Sequence, residues 1–296
     1  MNRSSPSLPR PQRASLAGGP VPRAAFQGRR GAFSETAVRR LFPGGAIPVE
    51  CREFETLFSA IREGRAEYIV APLENTLAGA VYQCYDLLYD SGLSITDEIV
   101  LPISHCLIAV PGATLADIRE VESHPVALAQ CERFFVQHPA IQRKVADDTA
   151  GSVQAIVNAG DRARAAIAGS EAAALYGGTI LLEHIEDFAN NFTRFVLLSP
   201  QAGADDDNNS TTTIALTIPN RPGSLYHALA PFAQAEIDLR SLLSRPIKGK
   251  PWQYRFFLDV AASKQQLEKL VAGPLRAMDA EIRYLGSCNS SRDLHK

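Results

Sequence analysis

From Ala24 onward, short apolar runs and amphipathic stretches alternate along the chain. "AAFQ" is followed by the glycine turn "GRRG" and then "AFSETAVRRLF", where Val38, Leu41 and Phe42 share one helical face and Ser34 is placed as an N-cap. "YIVA" (residues 68–71) reads as a buried strand ending in the polar turn "ENTLAG". "GLSITDEIVLPISHCLIAVPG" supplies alternating strand material, and "VESHPVALAQCERFFVQHP" predicts a helix entered through Ser123 and Pro125. "DDTAGSVQAIVNAG" predicts a helix capped near Thr149, with Val153, Ile156 and Val157 inward. "ARAAIAGSEAAALYGGTILLEHI" reads strand, helix, strand, and "FVLL" (residues 195–198) is a short buried strand closed by Ser199 and Pro200. Strands alternating with helices in this way predict an open α/β sheet, or two of them.

"PQAGADDDNNSTTT" breaks the rhythm and reads as a solvated linker. After it, "TIALTI", "RPGSLYHALAPFAQAE", "IDLRSLLSRP", "QYRFFLDV", "SKQQLEKLVAGPLRAMD" and "EIRYLGSC" spell strand, helix, strand, strand, helix, strand. That order is βαββαβ, the ferredoxin-like arrangement. Poor in paired acids and bases, this unit reads as a binding module.

The length of 296 residues allows two cores, and 21% charged and 46% apolar residues describe an ordinary globular composition. A formal net charge of -2 offers no electrostatic attraction for nucleic acid or an anionic membrane. The five cysteines lack CxxC spacing, and the six histidines lack metal spacing, so no metal site, no disulfide framework and a reduced, cytoplasmic setting are expected. Arg3, Arg10, Arg13 and Arg23 lie among several prolines and no acid, without a secretory h-region; this resembles an organellar transit peptide, but the prolines disfavour an amphipathic helix and the stretch reads as a disordered leader.

Polar side chains gather where strands of the large domain end and helices begin: Ser34; Glu74, Asn75 and Thr76; Ser123 and His124; Asp148, Thr149 and Ser152; and Thr193 with Arg194. In open α/β sheets such turns surround the ligand crevice, and helix N-termini receive anions. Ser34, Ser123 and Thr149 serve equally well as plain N-caps, and Asn75 and Thr76 as ordinary turn residues. No phosphate loop and no Ser-His-Asp order is present, so the ligand expected is small, anionic and rich in hydrogen-bond acceptors.

"GRRGAFSETA", "PLENTLAGAVYQCYDLL", "SHPVALAQC", "DTAGSV" and "NNFTRF" occur in the order and spacing of the prephenate dehydratases that carry an ACT regulatory domain, and the chain resembles them from Ala25 to about Cys288. The resemblance implies an α/β catalytic domain of two periplasmic-binding-protein-like lobes, followed by a βαββαβ ferredoxin-like ACT domain. It implies a leader at 1–24 and a catalytic domain at 25–200, with lobes of 25–100 plus 185–200 and of 101–184. The linker would be 201–210, the ACT domain 211–288 and the tail 289–296. It further implies conversion of prephenate to phenylpyruvate without cofactor, or of arogenate to phenylalanine; a non-catalytic small-anion binder is the rival reading. By the same resemblance Thr193 is the leaving-group donor. Ser34, Asn75, Thr76, Thr149 and Arg194 contact the substrate, with Arg194 suited to the pyruvyl carboxylate, and Phe195 walls the ring. Gly223, Ser224, Leu225, Ser244 and Arg245 would bind phenylalanine as effector in a homodimer or homotetramer. Leu243 stands where the family has a glutamate; loss of that carboxylate is expected to weaken the effector, and Leu243→Glu to tighten it.

Overall fold

The computed structural model describes residues 20–201 and 210–289. Most of the expected leader, the linker and all but the first residue of the tail lie outside these; the first strand opens at Arg23, inside the stretch assigned to the leader.

The chain begins with β1 (Arg23–Gln27), α1 (Phe33–Leu41), β2 (Ile47–Cys51), α2 (Phe54–Ser59), β3 (Tyr68–Asn75), β4 (Gly79–Ala80), α3 (Tyr82–Ser91) and β5 (Ser94–Pro102). It then crosses to β6 (Cys106–Ala109), β7 (Glu120–Ser123), α4 (Pro125–Ala129), α5 (Glu132–Gln137), β8 (Gln142–Val145), α6 (Thr149–Ala159), β9 (Arg164–Ala168), α7 (Ser170–Tyr176) and β10 (Thr179–Leu182). β11 (Phe192–Ser199) returns to the first group, antiparallel between β3 and β5. Last come β12 (Ser210–Thr217), α8 (Ser224–Gln234), β13 (Leu239–Pro246), β14 (Tyr254–Val260), a helical run from Lys264 to Arg276 with a π-type middle turn, and β15 (Glu281–Asn289).

Two sheets result. β6 to β10 form a five-stranded sheet, and every other strand joins a ten-stranded one, ordered β13-β14-β12-β15-β5-β11-β3-β1-β2 with β4 beside β3. The first-lobe and βαββαβ parts of the larger sheet are fused at a single pairing, Gly286 opposite Ile95. Gly286 has φ +135°, and a Cβ there would stand 2.2 Å from the Ile95 carbonyl oxygen, so only glycine lets the two backbones approach.

Side-chain alternation along β11 organises what lies on either face. Phe195 and Leu197 pack with Phe26, Val38 and Leu41 of β1 and α1. Val196 and Leu198 face the opposite way, into an apolar cluster with Leu57, Tyr85 and Leu88 of α2 and α3. That second cluster continues without a break into Ala215, Phe257, Leu285 and Cys288 of the βαββαβ unit. The small unit is therefore docked through a shared core.

Candidate functional site

The two lobes enclose a cleft of about 420 Å³. Ser34, Asn75, Thr149, Thr193 and Phe195 all line it, brought together from α1, β3, α6 and β11. Ser34 and Thr149 are free of the capping duty expected of them because it falls to neighbours, whereas Asn75 keeps its turn duty, its Oδ1 accepting from the Leu77 and Ala78 N–H groups. Before α1 the cap residue is Ala32, without a side-chain bond, and buried Glu35 reaches back to accept from the Gly31 N–H at 2.5 Å. Ser34 is thereby one position inside the helix rather than its N-cap. Asp148, not Thr149, caps α6, accepting from the Gly151 N–H at 2.5 Å. Ser123 caps nothing: it ends β7, and its buried hydroxyl donates to the Ile167 carbonyl at 2.6 Å. His124 caps α4 through Nδ1, which accepts from the Val126 N–H; burial pushes its pKa below the ordinary histidine value and so favours the neutral form this bond needs.

Thr193 sits at the centre of an amide network. The Asn75 Nδ2 group donates to Thr193 Oγ1 at 2.9 Å and to Asn191 Oδ1 at 2.8 Å. Asn191 Nδ2 donates in turn to Gln130 Oε1 at 3.0 Å, which also lies 2.9 Å from His105 Nε2. Buried in the strand-to-strand crossing, His105 has its pKa lowered by desolvation, so the ring is neutral at pH 7 and donates from Nε2. With Asn75 donating into its oxygen, the Thr193 hydroxyl keeps its own proton for another acceptor. His105, Gln130 and Asn191 were not among the expected site residues; amide–amide pairs formed across 61 and 116 residues of chain leave no local spacing signal.

Two expected contacts are corrected. Thr76 is outside the cleft lining; its hydroxyl donates to the Asn190 carbonyl and accepts from the Phe192 N–H, each at 2.9 Å, stitching the β3 turn to the start of β11. Arg194 does not face the cleft at all. The strand begins at Phe192, three residues earlier than the apolar run predicts, so Thr193 and Arg194 must point to opposite faces. Arg194 is 3% exposed and pairs with Glu98 at 2.6 Å and with Asp259 of β14 at 2.7 Å. Burial opposes its charge, but the two carboxylates hold its pKa well above the ordinary arginine value. Among the described residues no lysine or arginine lines the cleft; the acidic residues there are Asp147 and Asp148.

In the βαββαβ unit, Gly223 (φ +81°) precedes α8, where Ser224 and Leu225 form the first turn. Ser244 is exposed on β13, an edge of the large sheet. Arg245 points the other way, pairing with Asp86 of α3 (Nε to Oδ1, 3.1 Å) and lying over the Tyr82 ring. Leu243 shares that inward face and packs against the common core cluster, so it fills the seam with the first lobe.

Residues 24–203 match the family model described as prephenate dehydratase. The chain is 35% identical to arogenate dehydratase/prephenate dehydratase 2 of Arabidopsis thaliana, over 96% of this chain and 78% of that one. It is 37% identical to a bifunctional N-acyl-homoserine lactone acylase/prephenate dehydratase of Komagataeibacter europaeus, over 80% and 84% respectively. Among solved structures, prephenate dehydratase from Arthrobacter aurescens in complex with L-Phe superposes with a TM-score of 0.81 at 29% identity, covering 90% of each chain.

Proposed function

The chain belongs to the prephenate dehydratase family, and from that premise we propose that it is a carbon–oxygen lyase converting prephenate to phenylpyruvate for phenylalanine biosynthesis. The ring carboxylate departs as CO2, its bonding electrons aromatise the ring, and the C4 hydroxyl leaves as water with one added proton. The observation that carries this reading is the Asn75–Thr193 hydrogen bond inside the cleft. It satisfies the threonine oxygen and leaves its O–H to donate to the departing hydroxyl, the proton being made good from solvent. A threonine is a weak acid, so its part is a hydrogen bond that strengthens as charge develops on the leaving oxygen. Asn75 is an amide and accepts no proton, which makes Thr193 a donor rather than the activated nucleophile an acylase requires. Ser34 and Thr149 meet the carboxylates with their hydroxyls, while Phe195 packs beside the ring.

Arogenate is the second substrate favoured by a specific feature. Asp147 and Asp148 bring negative charge to a cleft that, among the described residues, no lysine or arginine lines. Asp148 is committed to α6, whereas Asp147 is exposed on the cleft wall, where it would complement the ammonium group that arogenate carries in place of the keto oxygen. Turnover of purified protein on prephenate and arogenate side by side tests both readings. Activity on neither would overturn the dehydratase assignment, and an unchanged substrate ratio in Asp147→Asn would remove Asp147 from the choice.

The βαββαβ unit serves on this reading as an ACT effector module for phenylalanine, with Gly223, Ser224, Leu225 and Ser244 as its contacts. Arg245, held by Asp86, is no longer counted among them. Exposed Leu242 on the edge strand and exposed Trp252 nearby support assembly into a homodimer or homotetramer through this unit. Five cysteines, all buried and unpaired, support a reducing compartment such as the cytoplasm. Among the described residues no helix is long and apolar enough to cross a membrane.

A further inference from the structure

Thr193 and Arg194 are adjacent on β11, one in the cleft and the other in the seam with the βαββαβ unit. The ladder beneath them is broken: pairing of β11 with β3 runs Arg194 to Glu74 and then Phe195 to Pro72, skipping Leu73. Such bulges re-aim side chains, and Pro72 has no N–H to tighten this one. The extra residue belongs to β3, next to the pairs that Thr193 and Arg194 make with it, while β11 stays in register with β5 from Phe192 to Leu197. What grips the tip of β11 from behind is the Arg194 guanidinium. Glu98 holds it from β5, and Asp259 holds it from β14. Asp259 is itself fixed, accepting from the Thr213 hydroxyl of β12 at 2.5 Å and the Ser241 hydroxyl of β13 at 2.8 Å. All three charged groups are at most 3% exposed. A buried ionic cluster is a weak stabiliser compared with apolar packing, so its position points to a role in geometry.

We propose that Arg194 is a positioning residue through which the docked βαββαβ unit sets the place of the Thr193 hydroxyl. Asp259 is the unit's hand on the catalytic strand: displacement of β12, β13 or β14 moves Arg194, and Thr193 moves with it across one peptide bond. This rests on the reading of Thr193 as leaving-group donor. It also gives an effector bound to the βαββαβ unit a short covalent route to the chemistry.

The test uses the full-length chain as wild type, Asp259→Asn, and Asp86→Asn as control. The control severs a second ion pair of the seam, Asp86 to Arg245, which does not involve β11. Steady-state kinetics and amide hydrogen exchange over residues 73–80 and 190–199 are read in all three. A misplacement of around 1 Å at a reacting group costs up to ~100-fold, so Asp259→Asn should lower kcat by roughly tenfold or more with KM within about twofold. Exchange at the β11 tip should rise, and Asp86→Asn should do neither. Unchanged kcat and exchange in a folded Asp259→Asn protein would overturn the proposal. So would an equal loss in Asp86→Asn, since that would reflect general loosening of the seam. If Asp259→Asn does not fold, Thr213→Val removes one anchor of Asp259 without changing charge; a smaller kcat loss at constant KM supports the coupling, and wild-type behaviour refutes it. Should the wild type turn over neither prephenate nor arogenate, the functional reading fails, and exchange at the β11 tip alone decides the coupling: a rise confined to Asp259→Asn supports it, and no rise refutes it.

Discussion

Replacing Gly286 by alanine tests whether the two parts of the large sheet are joined by backbone contact at one residue. The added Cβ would lie 2.2 Å from the Ile95 oxygen, 2.4 Å from its nitrogen and 2.8 Å from its Cα. Every one of these atoms is backbone, so no side chain can swing aside. Ordinary contact demands that β15 retreat from β5 by about 1 Å, opening the only pairing between them. An alanine held at positive φ costs about 1–2 kcal/mol, and overpacking a close-packed seam costs roughly 1–3 kcal/mol. The retreat also loosens Leu285 and Cys288 in the shared cluster. Together the loss is about 2–5 kcal/mol, a large part of the ~5–15 kcal/mol that holds a folded domain. In a chain of this size each kcal/mol lowers Tm by roughly 2–4 °C, so the melt should fall by about 4–20 °C. Urea unfolding and calorimetric melting of wild type and Gly286→Ala measure it. Gly44→Ala is the control, because a Cβ there meets nothing within 4 Å; it should stay within about 0.5 kcal/mol of wild type. A Gly286→Ala protein as stable as the control would refute the close-approach argument.

Thr193→Ala should keep its far-UV spectrum and lose on the order of 100-fold or more in kcat, while Thr193→Ser retains most activity; near-normal kcat in the alanine variant would remove the hydroxyl from the chemistry. His105 is held neutral by burial, so the unfolded chain binds the extra proton more readily than the folded one: its contribution to stability is complete above pH 6.5, the ordinary value, and is lost as pH falls below it. Urea midpoints from pH 7.5 to 5 should therefore fall less steeply for His105→Gln than for wild type, and identical slopes would show that His105 does not titrate on unfolding. Leu243→Glu should now destabilise the chain, by roughly 1–3 kcal/mol, and leave phenylalanine no tighter by calorimetry, since the carboxylate would enter the apolar seam. EDTA should leave turnover unchanged; activity lost on chelation and restored by a divalent ion would overturn the cofactor-free expectation.

Apolar periodicity alone carried the alternation of strands and helices and the separate βαββαβ unit, because period-2 and period-3.6 patterns are local properties of a chain that must bury one face. Five of the seven residues expected in the catalytic site, Ser34, Asn75, Thr149, Thr193 and Phe195, line the cleft; they were expected there from the resemblance to the prephenate dehydratases, not from spacing. Caps were misplaced by one or two positions because the bond goes to whichever carboxylate or ring can reach, Asp148 and His124, and the spacing is the same for either neighbour. Arg194 was misjudged for a different reason. A strand counted from its apolar run leaves Arg194 in a turn, free to face the substrate, whereas hydrogen bonds to β3 and β5 extend β11 back to Phe192 and alternation turns the guanidinium away. Those bonds come from strands roughly a hundred residues distant in sequence, as does Glu98 for Arg194, and Gln130 meets Asn191 across 61 residues. Leu243 and Gly286 acquire meaning only from α3 and β5 packing against them. What a residue can bury is written locally; which face it finds, and which partner waits there, is decided when distant strands pair.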